Sequence, residues 1–498
     1  MKLGRDDQGA RPMMNIPRCM STQHPDNAAV PFFSSTSVLA GEDEIREAFY
    51  AYSHLGCDEQ MWDAEGKEID TYVVKKLLSF YEDYFRENVL GEDLRLTLRV
   101  PNPTVETAEA KILLETLESI PRSHDAARLF YDRDVSPIFE VILPMTTSAS
   151  DVDRVYRYYR DFIAGRQNLR FSDGDITISE WIGEFAPDRV EVIPLFEDLP
   201  SMLAAGDIVE EYLGDKDVTD QRVFLARSDT AMNYGFVSAA LSNLIALHRI
   251  EELAARRGVR LHPIIGMGSA AFRGGLSPRT AERIGRDYPS VVTFTIQSAF
   301  KYDNPPHEVQ DAIRVLKERE VGRAVPVDAE RAMPVIEATS ALYRRRVGEL
   351  ADTINLLARS MPQRRARKLH VGLFGYARQM DGVKLPRAIG FTCALYSAGL
   401  PPELLGFEAL TDSDIAYLRE ALPSFDETIS EALRYCDLDG PLAAGPLRDA
   451  VLRAGYDWAP ESSHLEVVRN ISSALEDGRE QQVADLVIRG ARIRRFLG

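Results

Sequence analysis

Short apolar or β-branched runs alternate with helical patterns over most of this chain, and the alternation predicts a parallel sheet built from strand–helix units. The clearest strand segments are Leu94–Val100, Phe139–Leu143, Val190–Leu195, Arg222–Leu225, Leu261–Ile265, Val291–Ile296 and Leu369–Phe374, with a weaker first candidate from Tyr52 to Met61. Helical periodicity follows several of them, over Val105–Ile120, Ala149–Ile163, Met202–Leu213 and Gly235–Arg257. Eight such units match the count of a (β/α)8 TIM-type barrel, whose active sites form at the carboxyl ends of the strands. A doubly wound open sheet shares this periodicity, so the pattern by itself leaves both open.

Beyond the strand–helix units, a long helix is expected over Ala324–Arg367. Its basic run Arg364-Arg365-Ala366-Arg367-Lys368 reads as a solvated end that complements the helix dipole. After Gly399 the pattern is almost wholly helical. The expected organisation is an N-terminal extension over residues 1–13, a catalytic barrel over 14–399 and additional helices over 400–498 packed on the barrel.

Composition narrows the partners. Of 498 residues, 45% are hydrophobic and 27% charged, which suits a globular protein with ample core. The 77 acidic residues outnumber the 59 basic ones, for a net charge of −18, and this argues against nucleic acid or an anionic membrane surface. Four widely spaced cysteines (Cys19, Cys57, Cys393, Cys436) form no CxxC pair. No apolar stretch approaches the roughly 18 residues of a membrane span, and the first residues lack a signal peptide's apolar core. A cytoplasmic protein is expected.

The candidate chemistry gathers at strand ends. Glu197 and Asp229 each follow a predicted strand, one βαβ unit apart, so a parallel sheet brings them out at one edge. Two hard oxygen ligands side by side suit Mg2+ or Mn2+. Either acid alone reads as a solvated loop residue, and only the company around the pair gives it meaning. Arg99 ends a strand, Arg273 lies in the glycine-rich loop Gly266–Gly275, and Arg378 and Arg387 follow the last predicted strand. Guanidinium groups match phosphate and carboxylate oxygens in pairs, so several at strand ends point to a small polyanionic substrate. Gln297 and Lys301 lie just past another strand and add candidate polar contacts. His24 stands in Arg18-Cys19-Met20-Ser21-Thr22-Gln23-His24-Pro25-Asp26-Asn27, held extended by the following proline. Together these residues equip a site for phosphoryl or enolate chemistry on a small phosphorylated acid.

That ten-residue segment resembles the N-terminal signature of archaeal-type phosphoenolpyruvate carboxylase. Pro194-Leu195-Phe196-Glu197, Ser228-Asp229, Phe272-Arg273-Gly274-Gly275 and Arg387-Ala388-Ile389 follow in that family's order. The resemblance covers the chain from about Met14 onward. It implies a barrel enzyme that joins phosphoenolpyruvate and bicarbonate to give oxaloacetate and phosphate, by way of carboxyphosphate and a metal-bound enolate. By the same resemblance Glu197 and Asp229 are the ligands of Mg2+ or Mn2+, and His24 and Arg273 are catalytic. Arg387 and Arg378 hold phosphate or carboxyphosphate, with Arg99 in the same pocket. Met267 and Met232 stand where the longer bacterial and plant enzymes carry cations, and Lys301 is the candidate to compensate. The C-terminal residues lack the pattern those enzymes use for inhibitory aspartate. A homotetramer is expected. The rival readings are another divalent-metal barrel enzyme acting on phosphoenolpyruvate or pyruvate, and a catalytically decayed metabolite-binding relative. The acids Asp58, Glu59 and Asp63 are left without a role.

Overall fold

Eight parallel strands close into a barrel: β1 (Cys19–Ser21), β2 (Glu59–Asp63), β3 (Arg95–Arg99), β4 (Glu140–Leu143), β5 (Glu191–Phe196), β6 (Asp220–Ala226), β7 (Arg260–Gly266) and β8 (Thr293–Ile296). Each pairs with the next, and β1 closes the ring against β8, with Met20 opposite both Glu59 and Thr295. This computed structural model describes residues 15–64, 70–106, 110–214, 216, 218–366, 378–380 and 382–498. The barrel expectation holds and the open sheet does not.

Two of the eight expected strands differ. Tyr52–Met61 is mostly not strand: Ala51–Leu55 is a helical turn closed by Gly56 at φ 81°, and β2 begins only at Glu59. Leu369–Phe374 lies outside the described residues. The ring is completed instead by β1, which is three residues long and runs straight into polar Thr22 and Gln23, so no apolar run marks it.

The reason β2 hides from a hydrophobic pattern is the barrel interior. Side chains alternate across a strand, so residues 59, 61 and 63 of β2 share one face, as do 95, 97 and 99 of β3. The lowest layer is ionic. Arg222 donates to Glu59 Oε1 at 2.8 Å and Oε2 at 2.6 Å and to Glu140 at 3.1 Å, while Arg95 donates to Glu140 at 2.7 Å. Burial alone pushes the Glu140 carboxyl up, but Arg222 and Arg95 together hold it below its ordinary value. Above this layer Met20, Met61, Ile142, Ile193, Leu195, Phe224, Ala226 and Ile264 form an apolar plug.

Outside the ring, the helix Phe236–Arg257 forms as expected, whereas the one expected over Val105–Ile120 runs instead over Ile112–Tyr131. The long helix spans Ala329–Ala358, capped by the Asp328 carboxylate on the N–H groups of Glu330 and Arg331. It stops short of Pro362, so Arg364 and Arg365 are not its solvated end; both are buried. Residues after Gly399 are helical, including Asp412–Ala421, Phe425–Leu433, Ser462–Glu476 and Glu480–Arg494, and one apolar core runs through them and the barrel helices. Among the described residues no helix is long and apolar enough to cross a membrane.

Replacing Arg222 by methionine keeps the volume and removes the charge, leaving Glu59 buried with only the Thr97 hydroxyl. Arg222→Met is expected to cost on the order of 3–5 kcal/mol in chemical denaturation. A loss under about 1 kcal/mol means that the ionic layer is not what holds the barrel floor.

Candidate active site

The two-residue period carries the strands one step above the apolar plug. Past Met61 comes Asp63, past Thr97 Arg99, past Leu195 Glu197 and past Thr295 Gln297, so four polar side chains reach the carboxyl-terminal mouth together. They line a cavity of about 420 Å³ that His24, Asp229, Arg273 and Arg387 also line. Glu197 directly follows β5, and Asp229 sits in the first turn of the Ser228–Tyr234 helix after β6. These two strands pair in parallel with Phe196 opposite Leu225, so the expected placement of the two carboxylates at one edge holds.

His24 follows β1, and its backbone carbonyl accepts from Ser298 N at 3.2 Å. Its Nδ1 lies 3.0 Å from Thr22 Oγ1, which in turn lies 3.3 Å from the Ile296 carbonyl. With the hydroxyl proton on that carbonyl, Nδ1 carries the ring proton and Nε2 keeps its lone pair. Burial, reinforced by the positive fields of Arg99, Arg273 and Arg387 against that of Asp63, holds the imidazole pKa well below its ordinary value. His24 is therefore a neutral base at neutral pH.

Arg273 is buried and held on several sides. Nε donates to Ser228 Oγ at 3.1 Å, Nη2 to Gln297 Oε1 at 2.5 Å, and Nη1 to the Gly498 carbonyl at 2.6 Å and Asp26 Oδ2 at 3.3 Å. Asp26 is fully buried and also accepts from Ala299 N at 2.7 Å. The loop glycines serve this arrangement. A Cβ on Gly268 would stand 2.8 Å from Arg273 Cζ, and one on Gly274, at φ 115°, would stand 2.7 Å from Met267 Cγ. The glycines let a guanidinium lie against the chain at Gly268 and Met267 pack at Gly274.

The other cations divide. Arg99 pairs with Asp63 through two bonds of 2.8 Å, which gives Asp63 a role the sequence left open. Asp58 accepts from the N–H groups of Arg18 and Cys19, and Glu59 belongs to the ionic layer. Arg387 caps the amino end of the Ala388–Ser397 helix at the cavity rim, where the helix dipole adds to its charge. Arg378 opens a two-stranded hairpin, β9 (Arg378–Met380) with β10 (Val383–Leu385); its side chain lies outside the described residues.

Lys301 does not line the cavity. Its ammonium donates to Ser21 Oγ, the Thr22 carbonyl and Glu47 at 2.9–3.0 Å, so it fastens β1 and does not replace a site cation. Arg364 and Arg365, dismissed as a solvated helix end, do line it. Arg365 bridges Glu44 and Glu47 at 2.8 Å, and Arg364 donates to the carbonyls of Asn27 and Ala28. Pro362 was the available signal, because a helix that stops before it leaves the two arginines in a loop.

Comparison with known proteins settles the family. The model of the family described as phosphoenolpyruvate carboxylase matches residues 16–498. The chain is 54% identical over 488 residues to the phosphoenolpyruvate carboxylase of Methanothermobacter thermautotrophicus, covering 97% of this chain and 100% of that one. It is 50% identical over 499 residues to that of Halobacterium salinarum, covering 98% and 100%. The chain belongs to the phosphoenolpyruvate carboxylase family. Among solved structures, the malate synthase of Haloferax volcanii, a magnesium/glyoxylate complex, aligns over 67% of this chain and 86% of its own at 12% identity and a TM-score of 0.38. That likeness is too slight to bear on the site.

Set against the longer carboxylases, Met267 and Met232 are not gaps in an anion site. Both are buried and neither lines the cavity; Met267 packs on Gly274, and the Met232 carbonyl accepts from Tyr343 OH at 2.8 Å.

Behind the loop of this carboxylase lies a residue the sequence reading missed. Glu403 is buried, and its Oε1 accepts from Phe272 N at 2.5 Å and Tyr396 OH at 2.6 Å. Burial pushes its carboxyl up to about 7. The folded state thus keeps a proton that the unfolded chain releases near its ordinary value of 4.5. The stability this group contributes is full below that value and lost as pH rises through about 7. The melting temperature of the wild type relative to Glu403→Gln is expected to fall between pH 5 and pH 8; a constant difference excludes this titration.

Proposed function

We propose that this cavity binds phosphoenolpyruvate and bicarbonate and converts them to oxaloacetate and phosphate, the carboxylation that gives the family its name. One observation carries the reading. A single cavity at the strand carboxyl ends brings together the carboxylates of Asp63, Glu197 and Asp229, a histidine kept neutral, and arginines held by buried partners.

Among the described residues no cluster of three or more His, Cys, Asp or Glu can hold a metal. Two carboxylates alone suit an ion that fills its shell with waters and substrate oxygens, as Mg2+ and Mn2+ do, and not a closed zinc site. Glu197 and Asp229 would hold it, and when bound it supplies positive charge for the developing enolate oxygen.

The chain's own groups do the rest. Arg273 and Arg387 bind the phosphoryl and carboxylate oxygens, with Arg99 beside them. A bicarbonate oxygen attacks phosphorus in line, and the bond from phosphorus to the enol oxygen breaks, giving carboxyphosphate and pyruvate enolate. His24 Nε2 then takes the carboxyl proton of carboxyphosphate, whose C–O bond to phosphate breaks to release CO2. The enolate methylene carbon attacks CO2 before either diffuses away. Arg273, fixed by Asp26 and Gln297, keeps water from the enolate. The four cysteines are free and buried, which suits a reducing cytoplasm.

An assay for oxaloacetate with and without bicarbonate and Mg2+ tests the whole reading; phosphate release independent of bicarbonate favours another phosphoenolpyruvate enzyme. Within it, His24→Asn is expected to lower oxaloacetate formation about 10²–10⁴-fold, and Arg273→Ala to divert turnover to pyruvate and phosphate. The acid limb of kcat/KM for the wild type should lie below the ordinary histidine value of about 6.5. Wild-type rates in His24→Asn rule out the base assignment. Asp229→Asn should weaken Mn2+ binding at least tenfold by calorimetry, and unchanged binding removes Asp229 from the ligand set.

A further inference from the structure

One strand breaks the pattern at the cavity mouth. β2, β3, β5 and β8 each lead to a polar side chain one step above the apolar plug. In β4, which lies between the strands of Arg99 and Glu197, the residue one step past Ile142 is Pro144. Pro144 does not line the cavity, but the next residue, Met145, does. It does so from a left-handed backbone at φ 49°, which among the described non-glycine residues only Asp132 and Arg495 share. Pro144 fixes φ at the first central position of a turn, and a second position at positive φ ordinarily goes to glycine or asparagine. Methionine there costs free energy that glycine would not.

Two buried side chains hold the turn in that shape. Asn102 Nδ2 donates to the Pro144 carbonyl at 2.9 Å and the Met145 carbonyl at 3.2 Å, while its Oδ1 accepts from Thr104 N at 3.0 Å. Thr146 Oγ1 donates to the Leu143 carbonyl at 2.9 Å, and Thr146 N donates to the Leu195 carbonyl of β5 at 3.0 Å. Asn102 and Thr146 are 2% and 0% exposed. The surrounding structure thus imposes the strain, as it does at sites where the direction of a side chain matters. What it directs here is a half-buried, unbranched apolar side chain, set between Arg99 and Glu197.

We propose that Met145 decides the product of the reaction, by keeping water from the pyruvate enolate along the edge between Arg99 and Glu197. This rests on the carboxylation proposed above. The enolate has two fates. Its methylene carbon attacks CO2 and gives oxaloacetate, or it takes a proton from water, forming the C–H bond of pyruvate and leaving hydroxide while CO2 escapes. A guanidinium and a carboxylate both hold water well, whereas a thioether sulfur is only a weak acceptor. Glycine at this position would satisfy the backbone and leave room for at least one water of ~30 Å³. A turn that served the fold alone would therefore be better met by glycine than by methionine.

The test is the partition of turnover by the purified full-length chain supplied with phosphoenolpyruvate, bicarbonate and Mg2+. Oxaloacetate is trapped by malate dehydrogenase, and pyruvate is read in parallel by lactate dehydrogenase. Met145→Gly should at least double the fraction of turnover that ends as pyruvate, with an unchanged circular dichroism spectrum. Met145→Leu, apolar and of similar volume, should keep that fraction near the wild-type value, and Met145→Gln, of similar length but polar, should raise it. An unchanged pyruvate fraction in folded Met145→Gly overturns the proposal. If that variant does not fold, equal fractions in the leucine and glutamine variants overturn it. A wild type that makes no bicarbonate-dependent oxaloacetate fails at the carboxylation itself and takes this inference with it. A coupled wild type with unmoved variants rejects the role of Met145 alone.

Discussion

Charge withdrawn from water must be matched by charge, and most of this structure follows from that constraint. Arg222 and Arg95 sit under the barrel with Glu59 and Glu140. Arg365 and Lys301 meet at Glu47, whose carboxyl burial would push up but which the two cations hold down to about 2. Arg273 meets Asp26, and Arg99 meets Asp63. Each cluster joins segments far apart in sequence, so the pairing is a register device as well as an electrostatic one. An isolated ion in any of these places would cost several kcal/mol.

The same constraint prepares the site. Catalysis by positioned charge is strongest when the charges need not move during reaction, and a guanidinium locked by buried acceptors does not move. Arg273 is locked by four side-chain or backbone partners, and the loop that carries it by Asp26 and Glu403. His24 sits among those cations and is kept neutral by burial and by them. The apolar plug under the mouth lowers the local dielectric for all of these interactions.

How much of this was legible depended on whether a residue's neighbours were close in sequence. Glu197, Asp229, Arg99 and Gln297 were readable because a strand end is a local event, and a parallel sheet sends all its strand ends to one face. Six strands were found within a few residues for the same reason. β1 was missed because it is only three residues long and runs into polar residues, and β2 was misplaced because its inward face carries Glu59 and Asp63, which a hydrophobic pattern cannot mark. Lys301 looked like a site residue and is a fastening for β1. Arg364 and Arg365 looked like a solvated helix end and line the cavity.

The sequence by itself determined the strand–helix units, the family and the ring of polar groups at the strand ends, because periodicity and ordered motifs are written along the chain; closure of the sheet into a barrel is seen in the structure. Only the tertiary structure decided which cations face the cavity and which are consumed by buried carboxylates. It also decided that His24 stands among three arginines and that Glu403 supports the loop. These are matters of which distant groups meet once water is excluded, and pairing between segments dozens to hundreds of residues apart leaves no local signal.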